Sequence, residues 1–172
     1  MKKLILFTLM SLFTLVSFAQ GYVINGQIKE SKNGIATLRT YFRDGNEQLD
    51  SARIEEDGKF YFRGQIKDPI PALLTINGKR TYRLYLSPGD NVELILVPNN
   101  EKKTKIKGTK LTTEWYSIVA PQKKEDYDVH LSRLENWVIN NPSHIFSPDI
   151  IASYLAYKWN YSELTRTLNT LK

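Results

Sequence analysis

The sequence predicts a mainly β fold: an antiparallel β-sandwich or open barrel of about eight strands, followed by two or three C-terminal helices. Three observations carry this reading. Apolar and polar residues alternate along "KFYFRGQI", residues 59–66, with the period of two that a half-buried strand requires. Turn signals such as Asn33-Gly34, Asp57-Gly58, Asn77-Gly78 and "SPGD" at 87–90 recur at short intervals. After Gly108 the apolar residues change to helical spacing.

The first segment stands apart from the fold. "MKKLILFTLMSLFTLVSFAQ" begins with Lys2 and Lys3, continues as an apolar run from Leu4 to Phe18, and offers the small residues Ser17 and Ala19. This pattern predicts a secretory signal over 1–19, cut after Ala19. The run is too short to span comfortably and no basic stop-transfer cluster follows it, so no stable membrane span is expected after cleavage. The β domain is then assigned to 21–110 and a helical connector or tail to 111–172.

Tyr22–Ile28 is the first expected strand. The flanks of Asn25-Gly26 are too short for a hairpin, so Gly26 reads as a bulge or a close approach. Asn33-Gly34 turns into Ile35–Phe42, where Ala36, Leu38, Thr40 and Phe42 share a face. Asp44-Gly45 is a loop, and Leu49–Ile54 follows. Asp57-Gly58 reads as a hairpin turn into Lys59–Ile66, with Phe60, Phe62, Gly64 and Ile66 inward and Tyr61, Arg63 and Gln65 outward. Pro69 and Pro71 stop that ladder, since neither donates a hydrogen bond. Two more hairpins are expected. Ala72–Ile76 meets Thr81–Leu86 through Asn77-Gly78, with type I′ composition. Thr81–Leu86 meets Asn91–Val97 through "SPGD", with Pro88 and Gly89 at the centre of a type II turn. A last short strand, Thr104–Lys107, ends at Gly108.

Helical spacing then links Leu111, Trp115, Ile118 and Val119, up to Pro121. Tyr127, Leu131, Leu134 and Val138 form the apolar stripe of a second helix, closed by Asn140-Asn141-Pro142. Ser147-Pro148-Asp149 has the composition of a helix start, with Ser147 as the cap, and Ile151, Tyr154 and Leu155 supply its stripe. Leu164, Leu168 and Leu171 suggest a further helix whose apolar face wants a partner.

The chain of 172 residues has no cysteine, so disulfides, thiol redox chemistry and thiolate metal sites are excluded for it. Formal net charge is +6, and two of those charges sit on Lys2 and Lys3. The excess gathers in "EKKTKIKGTK", at Lys102, Lys103, Lys105, Lys107 and Lys110. No aromatic residue is interleaved there, which argues against nucleic acid. The favoured reading is a lysine-studded edge strand that resists sheet-to-sheet aggregation, ahead of an anion- or membrane-surface site.

Several motifs recur in an order that resembles one family. They are "YVINGQI", "LDSARIEEDGKFYFRGQIKDP", "RLYLSPGDNVEL", "KIKGT" and "WVINNPSHIFSPDIIASYL". In this order they resemble the β-rich domain of unknown function 4369 that stands ahead of thioredoxin-like thiol-disulfide oxidoreductase and peroxiredoxin-like domains in exported bacterial proteins. The resemblance covers roughly residues 21 to 160. It implies a periplasmic or cell-envelope location in a Gram-negative bacterium. The family's redox activity rests on a Cys-x-x-Cys site, which has no counterpart here.

Other chemistry is thinly supported. His130 and His144 stand at unrelated positions without flanking carboxylates at ligand spacing, so no metal is expected. Ser51 follows Asp50 without a nucleophile elbow. Glu55, Glu56 and Asp57 form a carboxylate cluster that reads as solvated at a turn tip. No cofactor is expected. The partner-binding candidates are the outward tyrosines Tyr61 and Tyr85 and the terminal Leu164, Leu168 and Leu171.

The expectation is thus a non-catalytic, exported accessory or interaction domain that resembles the front half of a periplasmic thiol-disulfide oxidoreductase. Its partner would be a protein, or a second copy met through the C-terminal helices. The alternatives are the truncated front of such an oxidoreductase and a small-ligand or carbohydrate-binding sandwich.

Overall fold

A computed structural model describes residues 21–29, 33–98 and 100–156. They form two compact units that divide between Leu111 and Thr112.

The first unit is a sandwich of eight strands: β1 (Gly21–Ile28), β2 (Gly34–Tyr41), β3 (Glu47–Ile54), β4 (Lys59–Gln65), β5 (Ile70–Ile76), β6 (Arg80–Leu86), β7 (Asn91–Leu96) and β8 (Lys105–Lys107). They build two four-stranded sheets, ordered β4-β1-β7-β8 and β3-β2-β5-β6. The second sheet is antiparallel throughout. The first is mixed, because β1 pairs with β7 in parallel. The sheets do not close into a barrel, and the parallel pair corrects the expectation of an all-antiparallel sandwich.

Period-two alternation puts one set of side chains from each sheet into a shared core. Ile24, Phe62, Val92 and Leu94 from the mixed sheet meet Leu38, Leu74, Leu84 and Leu86 from the other. The cluster holds eighteen buried residues. At roughly 1.5–3 kcal/mol for each large apolar side chain fully buried, packing supplies the stability that disulfides cannot.

Asn77 and Gly78 have φ of 52° and 64°, so the β5–β6 connection is the expected type I′ turn. The other two expected hairpins are corrected. At Asp57-Gly58 the Glu55 N–H donates to Lys59 O at 2.9 Å and the Gly58 N–H to Glu55 O at 2.9 Å, so the turn forms. At "SPGD" the Asp90 N–H donates to Ser87 O at 3.1 Å with Gly89 at φ 88°, a type II turn. In both cases the strand before the turn lies in the antiparallel sheet and the strand after it in the mixed sheet. A turn sequence fixes four residues of backbone; the sheet its second strand joins is set by distant partners.

Two smaller differences have local causes. β5 starts at Ile70 and includes Pro71, because the β2 ladder has already ended at Ala72↔Thr40 and needs no N–H from the proline. Gly26 lies in an unbroken β1–β4 register from Gly21↔Gln65 to Gln27↔Lys59, so it is a close approach rather than a bulge. The Phe60 ring covers Gly26, and the Tyr22 ring covers Gly64 directly opposite it.

The second unit is helical: α1 (Lys110–Val119, its first two residues still in the first unit), α2 (Tyr127–Asn140) and α3 (Ser147–Ile150), which continues as a π-helical stretch over Ile151–Leu155. Asp126 caps α2, its carboxylate accepting from the Val129 N–H at 2.9 Å. The buried stripe of α2 is His130, Leu131, Leu134 and Val138. Tyr127 is 59% exposed, a correction to the expected stripe: it is the first helical residue, and the buried side chain at that end of α2 is Glu125. Ser147 is likewise not a cap. It is the first residue of α3, and its buried hydroxyl donates back to Asn141 O at 2.6 Å. Trp115, Trp137, His144 and Phe146 form an aromatic nest, with Phe146 5.6 Å from Trp115 and 4.5 Å from His144 between ring centroids.

Candidate functional site

The outward face of the mixed sheet is a regular grid fixed by strand register. Tyr61 on β4 lies opposite Asn25 on β1, Asn25 opposite Glu93 on β7, and Glu93 opposite Lys107 on β8. One row away lie Lys59, Gln27, Ile95 and Lys105. On the other side lie Arg63, Val23 and Asn91. Tyr61 is 50% exposed and Ile95 38%. The Asn25 amide donates to Asn91 Oδ1 at 3.2 Å, and Gln27 Oε1 accepts from Lys29 Nζ at 2.9 Å. Lys59 pairs with Asp57 at 2.5 Å, and this pairing raises the lysine pKa and lowers that of the carboxylate. β8 is the short edge strand of this sheet, with Lys105 and Lys107 exposed on it, which fits the edge-protection reading.

The sequence-derived candidates separate here. Tyr61 is open to solvent. Tyr85, on β6 of the antiparallel sheet, is fully buried, and its carbonyl accepts from the Thr109 hydroxyl at 2.7 Å. Sequence alternation marked both as outward and could not show that only one stays uncovered. Leu164, Leu168 and Leu171 lie outside the described residues. Asp50 and Ser51 are consecutive strand residues and point to opposite faces of β3. Glu55, Glu56 and Asp57 are all exposed at their turn.

The helical unit holds a polar cluster that sequence reading missed. Glu125 has a nearly buried side chain between Arg133, whose Nε donates to it at 2.8 Å, and His130 Nδ1 at 3.1 Å. The Arg133 guanidinium also donates to Ile118 O at 2.6 Å and Ala120 O at 3.0 Å, which satisfies the last carbonyls of α1. Its hydrogen bond, joined by one from the Gln122 N–H, holds the Glu125 carboxyl down at about 2. This cluster ties the end of α1 to the start of α2. The signal for it was an acid directly before the cap residue, eight positions from an arginine. The same unit leaves Tyr116, Tyr127, Val129 and Ile139 exposed.

A cleft of about 220 Å³ lies between Ile28, Leu96 and Pro98 on one side and Ile76, Lys79 and Tyr82 on the other. It falls below the roughly 300 Å³ at which small-molecule sites begin. Among the described residues, no three His, Asp or Glu side chains gather as a metal would require.

No curated protein matches the chain, and no solved structure does. A family model described as a domain of unknown function, DUF4369, matches residues 22–115. That span takes in the eight strands and the first turns of α1, more than half of the sequence. The chain belongs to the DUF4369 family.

Proposed function

We propose that the chain is a non-catalytic, exported accessory domain of the cell envelope that works by binding a protein partner. The observation that carries this reading is a set of exposed apolar side chains on the helical unit. Tyr116, Tyr127, Val129 and Ile139 are between 38% and 60% exposed on a unit of three short helices. Covering such side chains recovers on the order of 1 kcal/mol or more each, which favours a partner that buries them. Tyrosine is also among the residues that dominate protein interfaces. Export rests on the signal-like residues 1–19, and the resemblance to the front of thiol-disulfide oxidoreductases suggests a thioredoxin-fold protein or a second copy as the partner.

Light scattering on the signal-free chain tests the second-copy form, with residues 161–172 present and deleted and with Tyr127→Ser/Ile139→Ser introduced. The unmodified chain should run above monomer mass and the double variant at monomer mass. A photo-reactive residue at position 127 tests the other form in the intact envelope. It should give one cross-linked product of defined mass, absent when the probe sits at Ser51. Monomers throughout together with no cross-link would sink the reading.

A further inference from the structure

The outward face of the mixed sheet combines features that edge protection alone does not require. That role accounts for Lys105 and Lys107 on β8. It does not account for Asn25 and Asn91 on the two central strands, where asparagine is disfavoured by its preference for turns. Nor does it account for Tyr61, half exposed on β4 in the same row as Asn25. We infer that this face binds an anionic polysaccharide, with Tyr61 stacking on a sugar ring, the amides of Asn25 and Asn91 bonding hydroxyls, and Arg63 and Lys105 holding carboxylates.

The geometry supports each part. Strand spacing places β4 and β8 about 14 Å apart across three intervals, and Arg63 and Lys105 lie two rows apart along the strands, on opposite sides of the Tyr61 row, so an extended chain running obliquely across the face meets positive charge at both ends. Arg63 and Lys105 have no ion pair among the described residues, whereas Lys59 is held by Asp57 and Lys107 sits opposite Glu93. The Asn25–Asn91 hydrogen bond holds two amides side by side and leaves an N–H₂ and an oxygen free for neighbouring hydroxyls. An aromatic face exposed beside polar groups is suited to the apolar face of a sugar ring. An acidic protein fits less well. Tyr61 and Ile95 lie on strands separated by β1, with Asn25 and Gln27 between them, so the face lacks the joined apolar centre of a protein interface. This surface belongs to the sandwich, and its test is independent of the partner proposed for the helical unit.

The experiment titrates the full signal-free chain with oligogalacturonate, with neutral oligogalactose and with polyglutamate, followed by amide NMR shifts. Oligogalacturonate should move resonances of residues 23–27, 59–65 and 91–95 and bind more weakly as salt rises. Tyr61→Ala should weaken it about five- to tenfold, and Arg63→Ala/Lys105→Ala should lower the salt dependence while the remaining spectrum stays folded. Four outcomes would each overturn the inference. They are polyglutamate binding as tightly, oligogalactose binding as tightly, affinity unchanged in Tyr61→Ala, or no shifts on this face.

Discussion

A single phenol shows how the sandwich joins its two sheets. Tyr22 on β1 is 3% exposed, its ring lies over Gly64, and it is near enough to Asp50 of the opposite sheet to feel that carboxylate. Burial first, and the Asp50 charge second, push the phenol up to about 12. An unfolded chain would release this proton near pH 10. The folded state keeps it, so the stabilisation is fully present below pH 10 and is lost as pH rises from about 10 to about 12. The two-unit difference amounts to roughly 3 kcal/mol at most. Tyr22→Phe keeps the ring and removes the titration. Urea unfolding of the two proteins between pH 9 and pH 11.5 should show stability falling more steeply in the parent than in Tyr22→Phe. Parallel curves would mean that the hydroxyl does not couple the sheets in this way.

At the scale of elements, the β1–β4 pair depends on two glycine–aromatic pairs in register. A Cβ on Gly26 would run into the Phe60 ring, and one on Gly64 into the Tyr22 ring. The Phe60 ring cannot move freely, since it also packs edge-on against Phe62 at 6.0 Å inside the core. Gly26→Ala should therefore cost about 1–3 kcal/mol through overpacking. Gly26→Ala with Phe60→Leu should cost less than the two single changes summed, because the smaller side chain makes room. Denaturant midpoints of the four proteins decide it, and strict additivity would contradict the contact. The glycine was legible as a close approach, but its partner was not, because the register that brings Phe60 over it spans more than thirty residues. The same division holds elsewhere. Inward sets such as Val92, Leu94 and Leu96 and the type I′ and type II turns were readable from local spacing and backbone chemistry. Which strands pair was not, since each run of alternating residues is compatible with several neighbours. Tyr61 could be singled out because it alternates against Phe60 and Phe62. The amides and cations of the candidate face came together only once β1, β7 and β8 were placed beside it.

At the largest scale, four of the seven connections between consecutive strands cross from one sheet to the other, and the consequences fall on folding. Of the consecutive strand pairs, only β2–β3, β5–β6 and β7–β8 are hydrogen-bonded neighbours. β1 is central in the mixed sheet, and both of its partners, β4 and β7, come from far along the chain, with every β1–β7 pair from Val23↔Asn91 to Ile28↔Leu96 separated by 68 residues. Closing such loops costs entropy before any contact rewards it, so folding should be slow for a domain of this size, in the millisecond-to-second range typical of β-sandwiches. A further consequence concerns completeness. Without β7 and β8 the mixed sheet reduces to the β4–β1 pair, and a lone pair of strands is marginal in water. Removing Val92, Leu94 and Leu96 also takes three fully packed side chains off the antiparallel sheet. A fragment of residues 20–90 should therefore give the circular dichroism and narrow amide dispersion of an unfolded chain, while residues 20–172 unfold cooperatively. A cooperative transition from the short fragment would show that the antiparallel sheet and β4–β1 hold together unaided, and that the parallel β1–β7 pair is an addition to a fold already complete.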